Sequence, residues 1–176
     1  MNKLAILPLM FWFFCSGAYA SELGHDEILK IFNEYESLNA DFISSVNHGK
    51  GKSGKTYKVL RSETESYADG PFDTALGAAQ KRVCEAKDLE IINALFRVTI
   101  ATSNSANESP MTVLGNMFVC QLELVKNSFL QLSISEQKTM YHDLEFGFEN
   151  TVYGNSKNDN RIIELRNMLH TLKPTE

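Results

Sequence analysis

The sequence predicts an all-α fold, either a small antiparallel helical bundle or a short stack of helical hairpins. Apolar residues recur at steps of three and four through most of the chain after residue 23, which is the period of one helix face. The links between the periodic segments are short, as is typical of antiparallel neighbours. Helix start and stop signals stand at several boundaries. Together these observations predict six or seven helices in one domain.

The first predicted helix covers residues 24–46, where Asp26 and Glu27 suit the positive end of the helix dipole. Its apolar stripe is continuous and consists of Ile28, Ile31, Phe32, Tyr35, Leu38, Phe42, Ile43 and Val46. Residues 47–70 are instead rich in Gly, Lys, Ser and Glu. We interpret them as mainly a long basic surface loop, with at most a short strand or helical turn near residues 56–62.

The rest of the chain returns to the helical pattern. Helices are predicted at 72–86, 89–102, 111–120 and 122–132, and the second of these is apolar on several sides, which indicates a central helix. A capping box over Ser133–Glu136 predicts the start of the next helix, and Gly154 its end. A last helix is predicted to start at Asn158 or Asp159 and to stop at Pro174.

Residues 1–20 have the pattern of a secretory signal peptide. Lys3 supplies the positive charge, residues 4–15 form an apolar run, and Ala18 and Ala20 occupy the small-residue positions of a cleavage site. The run is too short for a membrane span; an uncleaved anchor or a buried strand are the alternatives. We therefore expect cleavage after Ala20, no transmembrane span thereafter, and a single exported domain over residues 21–176, periplasmic or secreted.

Charge and cysteine content limit the function classes. The full chain has a formal net charge of −5, and loss of Lys3 makes the remainder more acidic, so we expect no nucleic-acid partner. Cys84 and Cys120 are the two cysteines after the signal segment. In an exported protein an even pair favours one disulfide, the alternative being two buried thiols.

Residues 49–56, GKGKSGKT, match the phosphate-binding pattern G-x-x-x-x-G-K-[ST]. We nevertheless expect no nucleotide binding, because a helix rather than a strand precedes the match and residues 57–66 look like a poor helix start. Six basic residues give the segment its character: His48, Lys50, Lys52, Lys55, Lys58 and Arg61. Such a segment could bind an acidic protein surface or anionic lipid, or could simply be solvated.

The remaining candidates for chemistry lie in the predicted helix after Ser133. Four polar residues there could hold a metal or act in acid–base catalysis, although such a face is more often solvated: His142, Asp143, Glu145 and Glu149. Gly147 is costly inside a helix and is expected where another backbone approaches closely or the helix bends. An outward-facing Phe146 would suit a protein-binding surface.

From these features we expect a non-enzymatic protein-binding domain, comparable to immunity or adaptor proteins, with no cofactor. Its expected partner is another envelope or secreted protein. Two alternatives remain open at this point. One is a metal-dependent or acid–base enzyme that uses His142, Glu145 and Glu149 together with Asp143. The other is a binder of anionic membrane surfaces through the basic segment at residues 48–61.

Overall fold

The computed structural model describes residues 23–103, 105, 107–151 and 159–175. Its eight α-helices are α1 (His25–His48), α2 (Tyr57–Tyr67), α3 (Asp73–Ala86), α4 (Leu89–Ala101), α5 (Ser109–Cys120), α6 (Leu122–Leu130), α7 (Ile134–Asn150) and α8 (Asn160–Thr171). A π-helical turn, Ala68–Phe72, joins α2 to α3 without a break, so these elements form seven continuous helical segments. The described residues contain no strand, only one isolated antiparallel bridge between Lys50 and Thr56. The predicted all-α fold is confirmed.

The helices form a bundle in which partners distant in the chain pack together. The most extensive contact is between α5 and α7, and α1 packs on both α2 and α4. A simple stack of successive hairpins would lack pairs such as α1 with α4. The interior is rich in fully buried aromatic rings, among them Phe32, Phe72, Phe96, Phe118, Phe129 and Phe148.

Helix α4 is the central helix that its composition predicted. It buries seven residues on several faces: Ile91, Ile92, Ala94, Leu95, Phe96, Val98 and Thr99. Each fully buried large aliphatic side chain contributes about 1.5–3 kcal/mol through the hydrophobic effect. The carboxylate of Asp88 accepts a hydrogen bond from the Ile91 amide and caps the helix start.

The prediction of a loop over residues 47–70 was wrong in its second half. Helix α2 begins at Tyr57 and buries Leu60 and Thr64, and Ala68 in the π-helical turn continues this buried face at the same four-residue step. Thr and Ala contribute little to an apolar pattern, so the buried face of this helix was not visible as a stripe. Packing against α1, rather than its own composition, stabilises α2.

The predicted starts of the last two helices are confirmed, whereas the predicted end of α7 at Gly154 is wrong, because Thr151 is already extended. Ser133 and Glu136 form the complete capping box at the start of α7, and Asp159 caps α8. Helix α6 ends at Leu130, two residues before its predicted end, and α7 ends at Asn150. Gly154, the alternative cap Asn158 and the signal segment 1–20 lie outside the described residues.

Two glycines allow α5 and α7 to approach until their backbones touch. A Cβ placed on Gly147 would meet the carbonyl oxygen of Met111, and one on Gly115 would meet the backbone of Gly147 and Phe148. The predicted close approach at Gly147 is thus confirmed. Gly115, its counterpart on α5, was not singled out from the sequence.

A disulfide joins Cys84, near the end of α3, to Cys120, the last residue of α5. The two Cα atoms lie 5.5 Å apart, within the usual range for such bonds. Beside it, the side-chain amide of Gln121 donates to the Cys84 carbonyl oxygen at 2.8 Å. Among the described helices, none combines the length and the hydropathy that a membrane span needs.

Candidate functional site

The GKGKSGKT segment forms a compact turn that binds a carboxylate of the protein itself. The Gly51 amide donates to the Lys55 carbonyl oxygen at 2.9 Å. Ser53 donates to Asp41 on α1 from its amide at 3.1 Å and from its hydroxyl at 2.5 Å. The hydroxyl of Ser53 holds the pKa of Asp41 below its usual value. A Cβ on Gly51 would meet the Asp41 carboxylate and the side chain of Leu60, which explains the glycine there.

One argument made from the sequence against nucleotide binding was therefore wrong, because a helix does follow the motif. The preceding element is α1 rather than a strand, as expected. We still expect no nucleotide binding, now also because Ser53 donates from both its amide and its hydroxyl to Asp41. A phosphate would have to displace that carboxylate.

The basic character of this region is weaker in the fold than in the sequence. Lys55 contacts both carboxylate oxygens of Glu63, at 2.9 and 2.8 Å, and Arg61 pairs with Glu65 at 2.8 Å. Both acids belong to α2, which was predicted as part of the loop. Three cations remain without an ion pair within the described part of the chain, namely Lys50, Lys52 and Lys58.

The four polar residues predicted as a cluster on α7 have different surroundings. His142 is exposed, whereas Asp143 is buried, and burial raises the pKa of Asp143. Glu145 accepts a hydrogen bond from the Tyr141 hydroxyl at 3.1 Å, and Glu149 is held by Arg166 on α8 at 2.7 and 3.0 Å. Residues 23–103, 105, 107–151 and 159–175 include no group of three His, Cys, Asp or Glu side chains arranged to hold a metal ion.

Phe146 and Phe148 point to different sides of α7. Phe148 is fully buried and packs edge-to-face on Phe118, with ring centroids 5.8 Å apart. Phe146 is 38% exposed. Its part in binding another protein stays a prediction.

A cleft of about 960 Å³ lies between α1, the continuous helical segment from Tyr57 to Ala86 (the α2–α3 rod) and the start of α5. This volume lies at the upper end of the range for ligand sites. Aromatic side chains form part of its lining, namely Tyr35, Phe42 and Tyr57. The rings of Phe42 and Tyr57 lie 5.4 Å apart and tilt by 34°. No residue of this cleft except Arg61 was a candidate from the sequence.

Charged residues line the cleft at regular spacing. Arg61, Glu65, Asp69 and Asp73 follow one another at steps of four along the α2–α3 rod, and Glu108 joins them from the segment before α5. Glu65 is neutralised by Arg61. Within the described residues, Asp69, Asp73 and Glu108 have no cationic partner, so the cleft carries uncompensated negative charge.

Two buried residues in the cleft each have a side-chain oxygen without a hydrogen-bond partner among the described residues. Tyr35 is only 1% exposed and stacks on Phe72 with ring centroids 4.0 Å apart, yet its hydroxyl has no partner among the described residues. Asn39 is 3% exposed and donates to the Ala101 carbonyl oxygen at 3.2 Å, but its own carbonyl oxygen accepts nothing in that part of the chain. Elsewhere in the described part of the chain, fully enclosed side-chain oxygens without a partner belong to Ser128 and Asp143. Tyr35 and Asn39 both line the cleft.

A second polar cluster fastens the start of α1 to α4. His25 Nδ1 lies 2.8 Å from Asp88, and His25 Nε2 lies 3.3 Å from Glu90. Arg82 also contacts Asp88, at 3.3 Å. Burial alone would raise the pKa of Asp88, but hydrogen bonds from His25, the Ile91 amide and Arg82 outweigh it and lower that pKa. The hydrogen bond to Asp88 in turn raises the pKa of His25 above 6.5.

This cluster makes stability depend on pH. The folded-state pKa of His25 is raised, so the stability that His25 contributes is fully present below its unfolded-state pKa of about 6.5. That stability is lost as the pH rises through the folded-state pKa. We expect the free energy of unfolding to fall between about pH 6 and about pH 8. His25→Gln should flatten that change, as measured by urea unfolding at both pH values. His48→Gln, an exposed histidine at the end of α1, is the control and should retain the wild-type slope; equal slopes for wild type and His25→Gln would contradict the assignment.

Comparison with protein-family models, with curated protein sequences and with solved structures gives no match for this chain.

Proposed function

We propose that this chain is a non-enzymatic binding domain for another exported protein, which inserts part of its surface into the cleft. The observation that carries the proposal is a pair of side-chain oxygens on two buried residues of the aromatic-lined cleft, Tyr35 and Asn39, that have no hydrogen-bond partner among the described residues. The polar atoms of buried residues are usually hydrogen-bonded within the protein, so two oxygens without a protein partner in a concave site are available to a ligand.

Two features outside the cleft support an exported partner, namely the N-terminal segment and the disulfide. The residues at 1–20 have the pattern of a signal peptide cleaved after Ala20. The disulfide between Cys84 and Cys120 is typical of oxidising compartments such as the periplasm or the extracellular space. A protein that acts there as an immunity or adaptor protein would meet partners exported by the same route.

The basic segment at residues 48–61 supports a second candidate, attachment to an anionic membrane surface. Lys50, Lys52 and Lys58 are free of ion pairs within the described residues, and exposed Val46 and Val59 lie close to them in the chain. Exposed apolar side chains beside lysines suit the interface of an anionic bilayer. We favour the cleft over the basic segment as the binding site, because two of its side-chain oxygens lack a protein partner among the described residues. Lysines and single apolar side chains are ordinary on protein surfaces.

Site-specific photo-crosslinking in the producing cells tests the proposal. A photoreactive phenylalanine analogue replaces Thr112 in the cleft wall, Lys52 in the basic segment, or Glu164 on the exposed face of α8 as the control. We expect one discrete protein adduct at position 112 and none at 164. Equal adducts at all three positions, or none at 112, would overturn the proposal. An adduct with lipid at position 52 alone would favour the membrane alternative instead.

A further inference from the structure

We propose that the cleft recognises a cationic side chain of the partner, the guanidinium of arginine or the ammonium of lysine. This inference rests on the proposed function and adds the chemistry of the group that enters the cleft. It concerns the part of the cleft formed by α1 and by the α2–α3 rod, with Glu108 at its edge.

The first argument is charge. Asp69 and Asp73 lie one helical turn apart on the same rod, and both line the cleft without a cationic partner among the described residues. Arg61 does not compensate them, because its Nε is 2.8 Å from Glu65. Glu108 adds a third carboxylate to the lining. A cation entering this cleft gains favourable interaction with all three, and an anion would be repelled.

The second argument is the aromatic lining. Phe42 and Tyr57 form a tilted pair 5.4 Å apart, and Tyr57 is 42% exposed. The face of an aromatic ring attracts a cation, and arginine and lysine also bury their methylene groups against apolar surface. An acidic rim combined with aromatic rings therefore fits a long cationic side chain better than a hydrated metal ion.

The third argument is the hydrogen-bonding capacity of the buried groups. Arginine and lysine side chains only donate hydrogen bonds. The Tyr35 hydroxyl can accept one, and so can the Asn39 carbonyl oxygen, and neither has a donor among the described residues. These two side chains are at least 97% buried, so they are fixed before any ligand arrives, which lowers the ordering cost of binding.

The size of the cleft favours a side chain carried by a protein over a free amine. At about 960 Å³ the cleft is larger than a single small amine requires. A peptide segment can place one cationic side chain among the carboxylates while its backbone occupies the remainder.

Calorimetric titration of the purified protein tests the inference. The probes are a peptide of three arginines alternating with glycine, the same peptide with citrulline in place of arginine, and agmatine as a free guanidinium compound. We expect the arginine peptide to bind at least about fivefold more tightly than the citrulline peptide or agmatine. Equal binding of arginine and citrulline peptides would overturn the inference, and tighter binding of agmatine would assign the site to free amines instead.

Matched variants locate the binding. The double variant Asp69→Asn, Asp73→Asn should lower the affinity for the arginine peptide at least about fivefold. The control is the double variant Glu85→Gln, Glu164→Gln, which removes two exposed acids outside the cleft and so changes the net charge by the same amount. It should change the affinity less than about twofold. Tyr35→Phe keeps the ring stack and should weaken binding without lowering the melting temperature. Equal effects of the two double variants would overturn the inference. If the adduct at position 112 forms but arginine and citrulline peptides bind equally, the protein-binding function stands and only the cationic chemistry fails.

Discussion

Gly147→Ala is expected to lower the free energy of unfolding by about 3 kcal/mol, one of the two largest single effects in this protein. The added methyl group would meet the carbonyl oxygen of Met111, which belongs to the backbone of α5 and cannot rotate away. The two helices must therefore separate, and the α5–α7 interface is the most extensive in the bundle. Gly115→Ala should act in the same way, because its methyl group would meet the backbone of Gly147.

Gly77 on α3 provides the control for this prediction. A Cβ at Gly77 meets nothing within 4 Å, so alanine there should be neutral or should stabilise the helix by up to about 1 kcal/mol. Urea unfolding of the three variants measures the difference. If Gly147→Ala and Gly77→Ala unfold at the same urea concentration, the backbone contact between α5 and α7 does not exist as described.

Removal of the disulfide is expected to cost about 4 kcal/mol, because the 36-residue separation closes a long loop in the unfolded chain. The bond ties α3 to α5, so its loss also frees the end of the helix that carries Gly115. The double variant Cys84→Ala, Cys120→Ala should have the same free energy of unfolding as the wild-type protein measured in the presence of reductant.

Thiol counting on the denatured protein is the internal check. We expect no reactive thiol from Cys84 and Cys120 before reduction and two afterwards. Two reactive thiols before reduction would contradict the presence of the disulfide. A melting temperature that neither reductant nor the double substitution lowers would contradict its stabilising role.

The helices that the sequence predicted best are those with dense apolar stripes or complete caps. Helix α1 has an apolar residue at nearly every third or fourth position, and α7 has a capping box whose two hydrogen bonds are local. Such signals depend on residues a few positions apart, so they can be recognised without knowing the fold.

The cleft could not be predicted because its parts come from distant segments. Tyr35 and Asp69 are 34 positions apart, and the assignment of residues 47–70 to a loop hid the four-residue spacing that runs from Arg61 to Asp73. With α2 recognised as a helix, that spacing alone would have indicated one charged face. The unpartnered oxygens of Tyr35 and Asn39 depend on packing and have no signal in the sequence.

The phosphate-loop pattern misleads for a related reason. Gly51 and Ser53 are explained by Asp41, which lies on α1 ten and twelve positions earlier in the chain. A motif of this kind specifies a turn with inward-facing amides, and the fold decides which anion meets them. Here that anion is a carboxylate of the same chain.

Mapping of backbone amide chemical shifts in two separate titrations tests the central claim most directly. With the arginine peptide we expect saturable changes within residues 35–42 and 61–73, the ranges that contribute α1 and the α2–α3 rod to the cleft lining. With magnesium and ATP we expect no saturable change at residues 50–56. Saturable shifts at 50–56 with ATP, together with an unperturbed cleft in the presence of the peptide, would contradict this account.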